Sequence, residues 1–196
     1  MKTSRIVLIV IAGLLLIFIL RGCSGYNNLV SLREQVNREW ANVENQYQRR
    51  ADLIPNLVNT VKGYAEHEQE TFTQVTEARS RATSVTIDPA NMTDEDIQRF
   101  QAAQGEVTSA LSRLLAIAEN YPDLKANQNF LELQAQLEGT ENRIAVERRN
   151  FNESATQYNT QIKSFPTIIY AGLLGFKDRP YFEAEEGTQE APVVEF

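Results

Sequence analysis

Apolar residues follow two different patterns along this chain. Residues 6–20 form an unbroken apolar run, and from residue 26 onward apolar side chains recur at intervals of three and four positions. The clearest of these series is Ile97, Phe100, Gln104, Val107, Leu111, Leu114, Ala118 and Tyr121. A mean spacing of 3.5 residues predicts amphipathic helices that pack side by side with a left-handed twist.

Prolines divide the periodic region into four helical stretches. The divisions lie at Pro55, Pro89, Pro122 and Pro166, and between them Ala, Leu, Glu, Gln and Arg dominate. These residues favour helix over strand. The predicted fold is therefore all-α, an antiparallel up-and-down bundle of four long helices over residues 26–182.

Local signals predict where the helices begin and end. Thr93 followed by three acidic residues predicts a helix start, because a threonine N-cap and first-turn carboxylates suit the positive helix end. Pro122 predicts another start, and residues 84–92 read as a loop. We place the first break at residues 50–52, with Pro55 in the first turn of a new helix. The alternative is one long helix kinked at Pro55.

The apolar run near the N-terminus predicts attachment to a membrane. As a helix its 15 residues would span about 22 Å, which is shorter than a hydrocarbon core of roughly 30 Å. Arg5 and Arg21 flank the run, and their charged ends can reach toward water, which lengthens the effective span. We interpret residues 1–25 as a single membrane-spanning anchor.

Two alternatives stay open for this anchor segment. A cleaved signal peptide also has a basic start and a short apolar stretch, although no small-x-small cleavage site follows here. Residues 20–23 read Leu-Arg-Gly-Cys and resemble a lipobox, which makes Cys23 a candidate for lipidation, with Arg21 departing from the motif. All three interpretations place the protein at a membrane.

The net charge of −7 comes largely from the C-terminal end of the chain. Residues 183–196 contain five glutamates and neither lysine nor arginine, and we predict that this acidic tail is disordered. The rest of the chain is nearly neutral. It has no basic stripe of the kind that binds a phosphate backbone, which argues against a nucleic-acid partner.

Few residues are available for catalysis. His67 is the only histidine and Cys23 the only cysteine, so a zinc site built from several such ligands is excluded. Thr71 stands where a zinc-protease helix starting at His67 would need its second histidine. Neither a Gly-x-Ser-x-Gly turn nor a glycine-rich phosphate loop is present. We therefore predict no enzyme activity, catalytic residue, metal, cofactor or small-molecule substrate.

One polar cluster combines charge, a helix breaker and apolar neighbours. Its members are Arg49, Arg50, Asp52, Pro55 and Asn56. In a structural interpretation, Arg49 and Arg50 close one helix and Asp52 caps the next. In a functional interpretation, the cluster is a partner-binding corner at one end of the bundle. Gln104 and Asn142 are predicted to be interior polar residues that fix the register of the helices.

A family resemblance rests on motifs that run in order along the chain. They are residues 26–30, 40–44, 49–64, 78–79, 119–126, 130, 133–134, 141–145, 151–152, 158–159, 165–166 and 181–183. With these motifs the chain resembles the LemA family of bacterial membrane-associated proteins. The resemblance implies a bundle of long antiparallel helices on an N-terminal anchor, with no established catalytic residue or cofactor. Relatives often accompany membrane quality-control proteases, which implies an adaptor role.

The expected function is that of a membrane-anchored, non-catalytic scaffold or adaptor. Its expected partners are the lipid bilayer and other proteins. The alternative is an enzyme or protease cofactor that uses the corner at residues 49–52 or His67. Lys2 and Arg5 precede the apolar run, and only Arg21 closely follows it. Because positive charge favours the cytoplasm, we expect a single-pass protein of the bacterial inner membrane with its bundle on the extracytoplasmic side.

Overall fold

The computed structural model describes residues 2–183, and all regular secondary structure within them is helical. The helices are α1 (Lys2–Lys62), α2 (Gln69–Ser84), α3 (Asp94–Ala118), α4 (Pro122–Lys125), α5 (Gln128–Lys163) and α6 (Thr167–Ala171). The prediction of an all-helical bundle is confirmed, with α1, α2, α3 and α5 as its long members. The short helices α4 and α6 were not predicted. Residues 184–196 of the predicted acidic tail lie outside the described residues.

The four long helices alternate in direction. Leu29 and Trp40 of α1 share one apolar core with the C-terminal half of α5, whereas Leu57 and Val61 share another with the N-terminal half of α5. Helices α1 and α5 are therefore antiparallel. Helix α2 packs against α1 and α3 and runs opposite to both. The result is the up-and-down order expected for helices joined by short connections.

Helix α1 continues through the position where we predicted the first break. The break at residues 50–52 is wrong, because α1 includes Pro55 and ends only at Lys62. The turn into α2 occupies residues 63–68. A proline inside a helix removes one backbone hydrogen bond and leaves the carbonyl four residues earlier without its usual donor. Here that carbonyl accepts a hydrogen bond from an arginine of α2.

The predicted start of a long helix after Thr93 is confirmed. Thr93 caps α3: its Oγ1 accepts from the Asp96 backbone N–H (3.2 Å), and Asp96 Oδ2 accepts from the Thr93 N–H (3.1 Å). This reciprocal pair satisfies two backbone donors at the helix start. The bond from the Thr93 N–H, followed by bonds from the Thr93 hydroxyl and Arg99, holds the pKa of the Asp96 carboxyl below its usual value. The predicted loop separates α2 from α3. Pro122 begins the short helix α4 and not the fourth long helix, which begins at Gln128 after an N-cap at Asn127.

The N-terminal part of α1 carries the apolar run. Its described side chains include Val7, Leu8, Ile9 and Ile11, all at least half exposed. In residues 2–183, we find no helix that combines the length and the apolar character needed to cross a membrane. The predicted lipidation of Cys23 concerns a side chain that lies outside the described part of the structure.

Candidate functional site

Arg50 is a buried residue in the middle of the bundle. Its side chain is 2% exposed. Nη1 donates to Glu141 Oε1 on α5 (2.7 Å) and to Thr108 Oγ1 on α3 (3.1 Å), while Nη2 donates to Gln104 Oε1 (2.6 Å) and to the Gln104 carbonyl (3.2 Å). The guanidinium also lies 5.0 Å from the centroid of the Tyr47 ring. A single side chain therefore joins α1 to both α3 and α5.

Arg50, Gln104, Thr108 and Glu141 form a polar layer that separates two apolar cores. On the side nearer residue 26 lies an aromatic core, whose rings belong to Trp40, Tyr47, Phe100, Phe151, Tyr158, Phe176 and Phe182. On the other side lies a largely aliphatic core, which includes Ile54, Leu57, Val61, Val107, Leu111, Leu114 and Leu137. Because the donors and acceptors of the layer match in one alignment of the helices, it fixes their register.

The predictions for interior polar residues have a mixed outcome. Gln104 is buried, as predicted, and accepts two hydrogen bonds from Arg50. Asn142 is exposed, so its predicted interior position is wrong. Glu141, the neighbour of Asn142, turns toward the layer in its place and keeps 43% of its side chain exposed. The partial exposure leaves the carboxylate hydrated while it pairs with the buried guanidinium.

The unbroken course of α1 through Pro55 depends on Arg79 of α2. Proline has no N–H, so Pro55 leaves the carbonyl of Ala51 without its helical donor. The Arg79 Nε donates to this carbonyl at 2.7 Å. Ala51 itself is largely buried, so water would satisfy the oxygen poorly. Arg79 thus replaces the missing backbone bond and ties α2 to the same level of α1 as the polar layer.

Replacement of Arg79 by alanine is expected to lower the free energy of unfolding by roughly 1.5–3 kcal/mol, the usual contribution of a charged donor. In a Pro55→Ala background residue 55 supplies an N–H to the Ala51 carbonyl, so the same replacement should cost less. Urea unfolding of the four chains, followed by circular dichroism, measures this coupling. Arg81→Ala, which removes an exposed ion pair to Glu106, is the matched control. Equal costs in both backgrounds would refute the assignment.

The remaining members of the polar cluster face solvent. Arg49, Asp52, Pro55 and Asn56 are exposed, and Asp52 Oδ1 accepts a hydrogen bond from Gln48 Nε2 (2.8 Å). The structure places them midway along the bundle, where the chain does not turn, and not at a corner at its end. Arg50 differs from these four residues because its side chain is buried. A partner-binding role of the four exposed residues stays a prediction.

Asn56 lines a shallow groove between α1 and α5. The groove has a volume of about 390 Å³. Its walls are formed by Asn56, Asn59, Thr60, Asn129, Glu132, Leu133 and Gln136. We call this the amide groove, because four of the seven side chains are carboxamides. Each carboxamide offers both donors and an acceptor, which is the combination that a polypeptide backbone or a polar side chain can satisfy.

A second concavity of about 260 Å³ lies between α1, α2 and α3, beside the polar layer. Glu44 is the acidic residue in its wall, and Tyr47, Arg50 and Arg79 line it as well. Burial raises the pKa of the Glu44 carboxyl, while the indole N–H of Trp40 one turn earlier opposes the shift. Such a carboxyl can exchange a proton, but neither histidine nor cysteine lines this concavity to act with it.

His67 lies apart from the polar cluster. It is exposed in the turn between α1 and α2, and roughly 18 Å of helix separates Arg50 from the end of α1 at Lys62. The two parts of the alternative catalytic hypothesis, residues 49–52 and His67, are therefore not brought together. Across residues 2–183, no group of three or more His, Cys, Asp or Glu side chains is placed to hold a metal ion.

Comparison with known proteins identifies the family. A model described as LemA family matches residues 39–196. The chain belongs to the LemA family. The match includes Arg50, Arg79, Gln104, Thr108 and Glu141, so the polar layer and its tie to α2 lie within the region common to this family.

Several named proteins are similar in sequence to this chain. "Magnetosome protein MamQ 2" of Paramagnetospirillum magneticum is 27% identical over 186 residues, which cover 86% of this chain and 68% of the relative. "Magnetosome protein MamQ" of Magnetospirillum gryphiswaldense is 28% identical with the same coverage. "Protein LemA" of Metamycoplasma hominis is 27% identical over 160 residues, covering 82% of this chain and 69% of the relative.

In this LemA-family chain, the segment after α6 is held along α5 by two asparagines that sequence reasoning missed. Asn159 Nδ2 donates to the Arg179 carbonyl and its Oδ1 accepts from the Arg179 N–H, both at 2.8 Å. Asn152 makes the same pair of bonds with the backbone of Phe182, at 2.9 and 2.8 Å. The available signal was the spacing of seven residues, which places both amides on one face of α5.

Proposed function

We propose that this protein is a membrane-anchored, non-catalytic scaffold or adaptor that binds other proteins through the surface of its bundle. The amide groove is the observation that carries the proposal. It presents four exposed carboxamides along two long helices, beside the exposed residues Arg49 and Asp52. The pair formed by Arg50 and Glu141 in the polar layer holds those two helices in one register, so the groove has a fixed shape before any partner arrives, which lowers the cost of binding.

Anchoring is the second part of the proposal. Residues 6–20 are all apolar, and the described side chains Val7, Leu8, Ile9 and Ile11 project from α1 without cover. Burial of such side chains in lipid is favourable. Because α1 continues from this run into the bundle, it would hold the amide groove at a set height. We propose single-pass insertion in the inner membrane, an extracytoplasmic bundle and a contribution to membrane protein quality control.

Photo-crosslinking in native membranes tests the scaffold proposal. A photoreactive phenylalanine analogue is placed in the full-length chain at Asn56, within the groove, and separately at Ala102, an exposed position on α3. We expect discrete proteins to be captured from position 56 and not from position 102. The same captured set at both positions, or no captured protein at position 56, would argue against a binding groove. Protease treatment of intact spheroplasts shows on which side the bundle lies.

A further inference from the structure

Five large apolar side chains are exposed together around α6. Phe165 and Leu173 are more than 80% exposed, and Ile168, Ile169 and Leu174 are between 51% and 57% exposed. All five lie within ten consecutive positions of the chain. We call them the apolar tip. Single exposed apolar residues are ordinary, but a contiguous apolar patch on a soluble surface indicates a site of interaction.

The tip is a folded structure. The Phe176 N–H donates to the Ala171 carbonyl (3.0 Å) and the Gly175 N–H donates to the Gly172 carbonyl (3.3 Å), the paired bonds of a Schellman motif. Gly175 has a φ of +78°, a backbone conformation that glycine adopts without strain. Phe176 and Ala171 are buried against the aromatic core. The exposed side chains of Leu173 and Leu174 are thus held outward by a motif whose own apolar contacts point inward.

The tip lies beside α1 just after the apolar run. Tyr170 packs so closely on Gly25 that a Cβ on the glycine would collide with the tyrosine hydroxyl, and Tyr26 meets Phe176 edge to face. Gly25 is five residues past residue 20, where the run ends, which is about 8 Å along a helix. Two apolar surfaces, the run and the tip, therefore follow one another along the same helix axis.

The spacing of these surfaces matches the dimensions of a bilayer. The run spans about 22 Å and a hydrocarbon core is roughly 30 Å thick, so the run alone leaves several ångströms of lipid uncovered. The shortfall is about the distance from residue 20 to the tip. Apolar side chains of interfacial elements enter about 5–10 Å into the headgroup and acyl boundary. The tip would place its side chains at that depth.

We propose that the apolar tip inserts into the lipid leaflet from which the bundle emerges. This inference rests on the proposed anchoring by residues 6–20. The bundle then stands on the membrane at two points, the anchor helix and the tip, which restrict its tilt. Lys163 and Lys177 bracket the tip in the sequence. The Lys163 ammonium is paired with the Asp178 carboxylate, and the Lys177 ammonium would lie at the level of the headgroups. The occupant of this patch is the lipid surface.

Fluorescence quenching by labelled lipid tests the inference with the full-length chain. A Cys23→Ser chain receives one cysteine, in place of Leu173 in the tip, Ile9 in the run or Glu66 at the far end of the bundle, and each cysteine carries the fluorophore NBD. Vesicles of phosphatidylethanolamine and phosphatidylglycerol contain a lipid with a nitroxide near the headgroup end of its acyl chain. We expect a blue-shifted emission at position 173 and several-fold stronger quenching there than at position 66.

The three positions separate the inference from the proposed anchoring. Quenching at position 9 without quenching at position 173 would overturn insertion of the tip and leave the anchor in place. An absence of quenching at both positions would overturn the anchor and the tip together. A label at position 173 that is blue-shifted but unquenched, and loses its shift when the protein is diluted, would show that a second copy covers the tip, which also overturns the inference.

Discussion

Replacement of Arg50 by alanine is expected to lower the free energy of unfolding by about 3–5 kcal/mol, because it leaves a buried acceptor without its charged donor and a cavity where the large side chain was. The loss would leave Gln104 Oε1 without its Nη2 donor and would remove one donor from the Gln104 carbonyl, which also accepts from the Thr108 hydroxyl. Thr108 and Glu141 would also lose their contact with α1. Urea unfolding of the full-length protein in detergent micelles, followed by circular dichroism, measures the effect.

Arg49 provides the matched control for this experiment. It is the adjacent arginine in the same helix but is exposed, so Arg49→Ala should change the free energy of unfolding by no more than about 0.5 kcal/mol. Arg50→Lys should fall between the two, because an ammonium keeps the charge but lacks the fork that reaches two helices at once. If Arg49→Ala and Arg50→Ala proved equally mild, the polar layer would not stabilise the bundle as described.

The wrong prediction of a helix break at residues 50–52 shows which features of this fold cannot be inferred from local sequence. The inward-facing positions of α1 recur at alternating intervals of four and three residues without interruption. They are Val43, Tyr47, Arg50, Ile54, Leu57 and Val61. Arg50 therefore occupies an interior position of the repeat. Two charged residues beside a proline suggested a helix end, because arginine is rarely buried and proline rarely lies inside a helix. Both exceptions are possible only because other helices supply partners.

Those partners are remote in sequence, which is why the local signals could not reveal them. Arg50 is satisfied by Gln104 and Glu141, and the gap at Pro55 is filled by Arg79. By contrast, the cap at Thr93 is formed within four residues and was predicted correctly. The periodic spacing likewise predicted the helical bundle, since the apolar residues of each buried face recur at regular intervals within one helix. Whether a segment is helical can be inferred from its own sequence. Whether a buried arginine has hydrogen-bond partners depends on tertiary contacts with other helices.

Exposure of the apolar tip was also beyond the sequence. Residues 165–176 contain a high proportion of apolar side chains, and a hydrophobic pattern alone would place most of them in a core. The structure buries Ala171 and Phe176 and leaves Phe165 and Leu173 outside. The Schellman motif decides the division between Leu173 outside and Ala171 and Phe176 inside, because its backbone bonds set which side chains of the last turn face the bundle.

Replacement of Trp40 by alanine is expected to cost about 3–5 kcal/mol of unfolding free energy, the usual range for a buried aromatic truncated to alanine. Trp40 is fully buried in the aromatic core, and its ring centroid lies 5.2 Å from that of Phe100 and 5.7 Å from that of Phe151. Leu131→Ala is the control, since Leu131 is 44% exposed and its truncation should be nearly neutral.

Substitution of Trp40 by phenylalanine should cost much less than substitution by alanine. The indole N–H is buried and makes no hydrogen bond of normal geometry among the described residues, although it lies close enough to Glu44 to oppose the rise of the pKa of that carboxyl. Phenylalanine loses this weak interaction but keeps most of the ring contacts. Phe182 stacks on Trp40 at 5.9 Å, and this contact helps to hold the C-terminal segment on α5. In Trp40→Ala, amide exchange should therefore accelerate at residues 179–183 more than in α2. Uniform acceleration throughout the bundle would show that Trp40 stabilises the fold as a whole and does not hold this segment in particular.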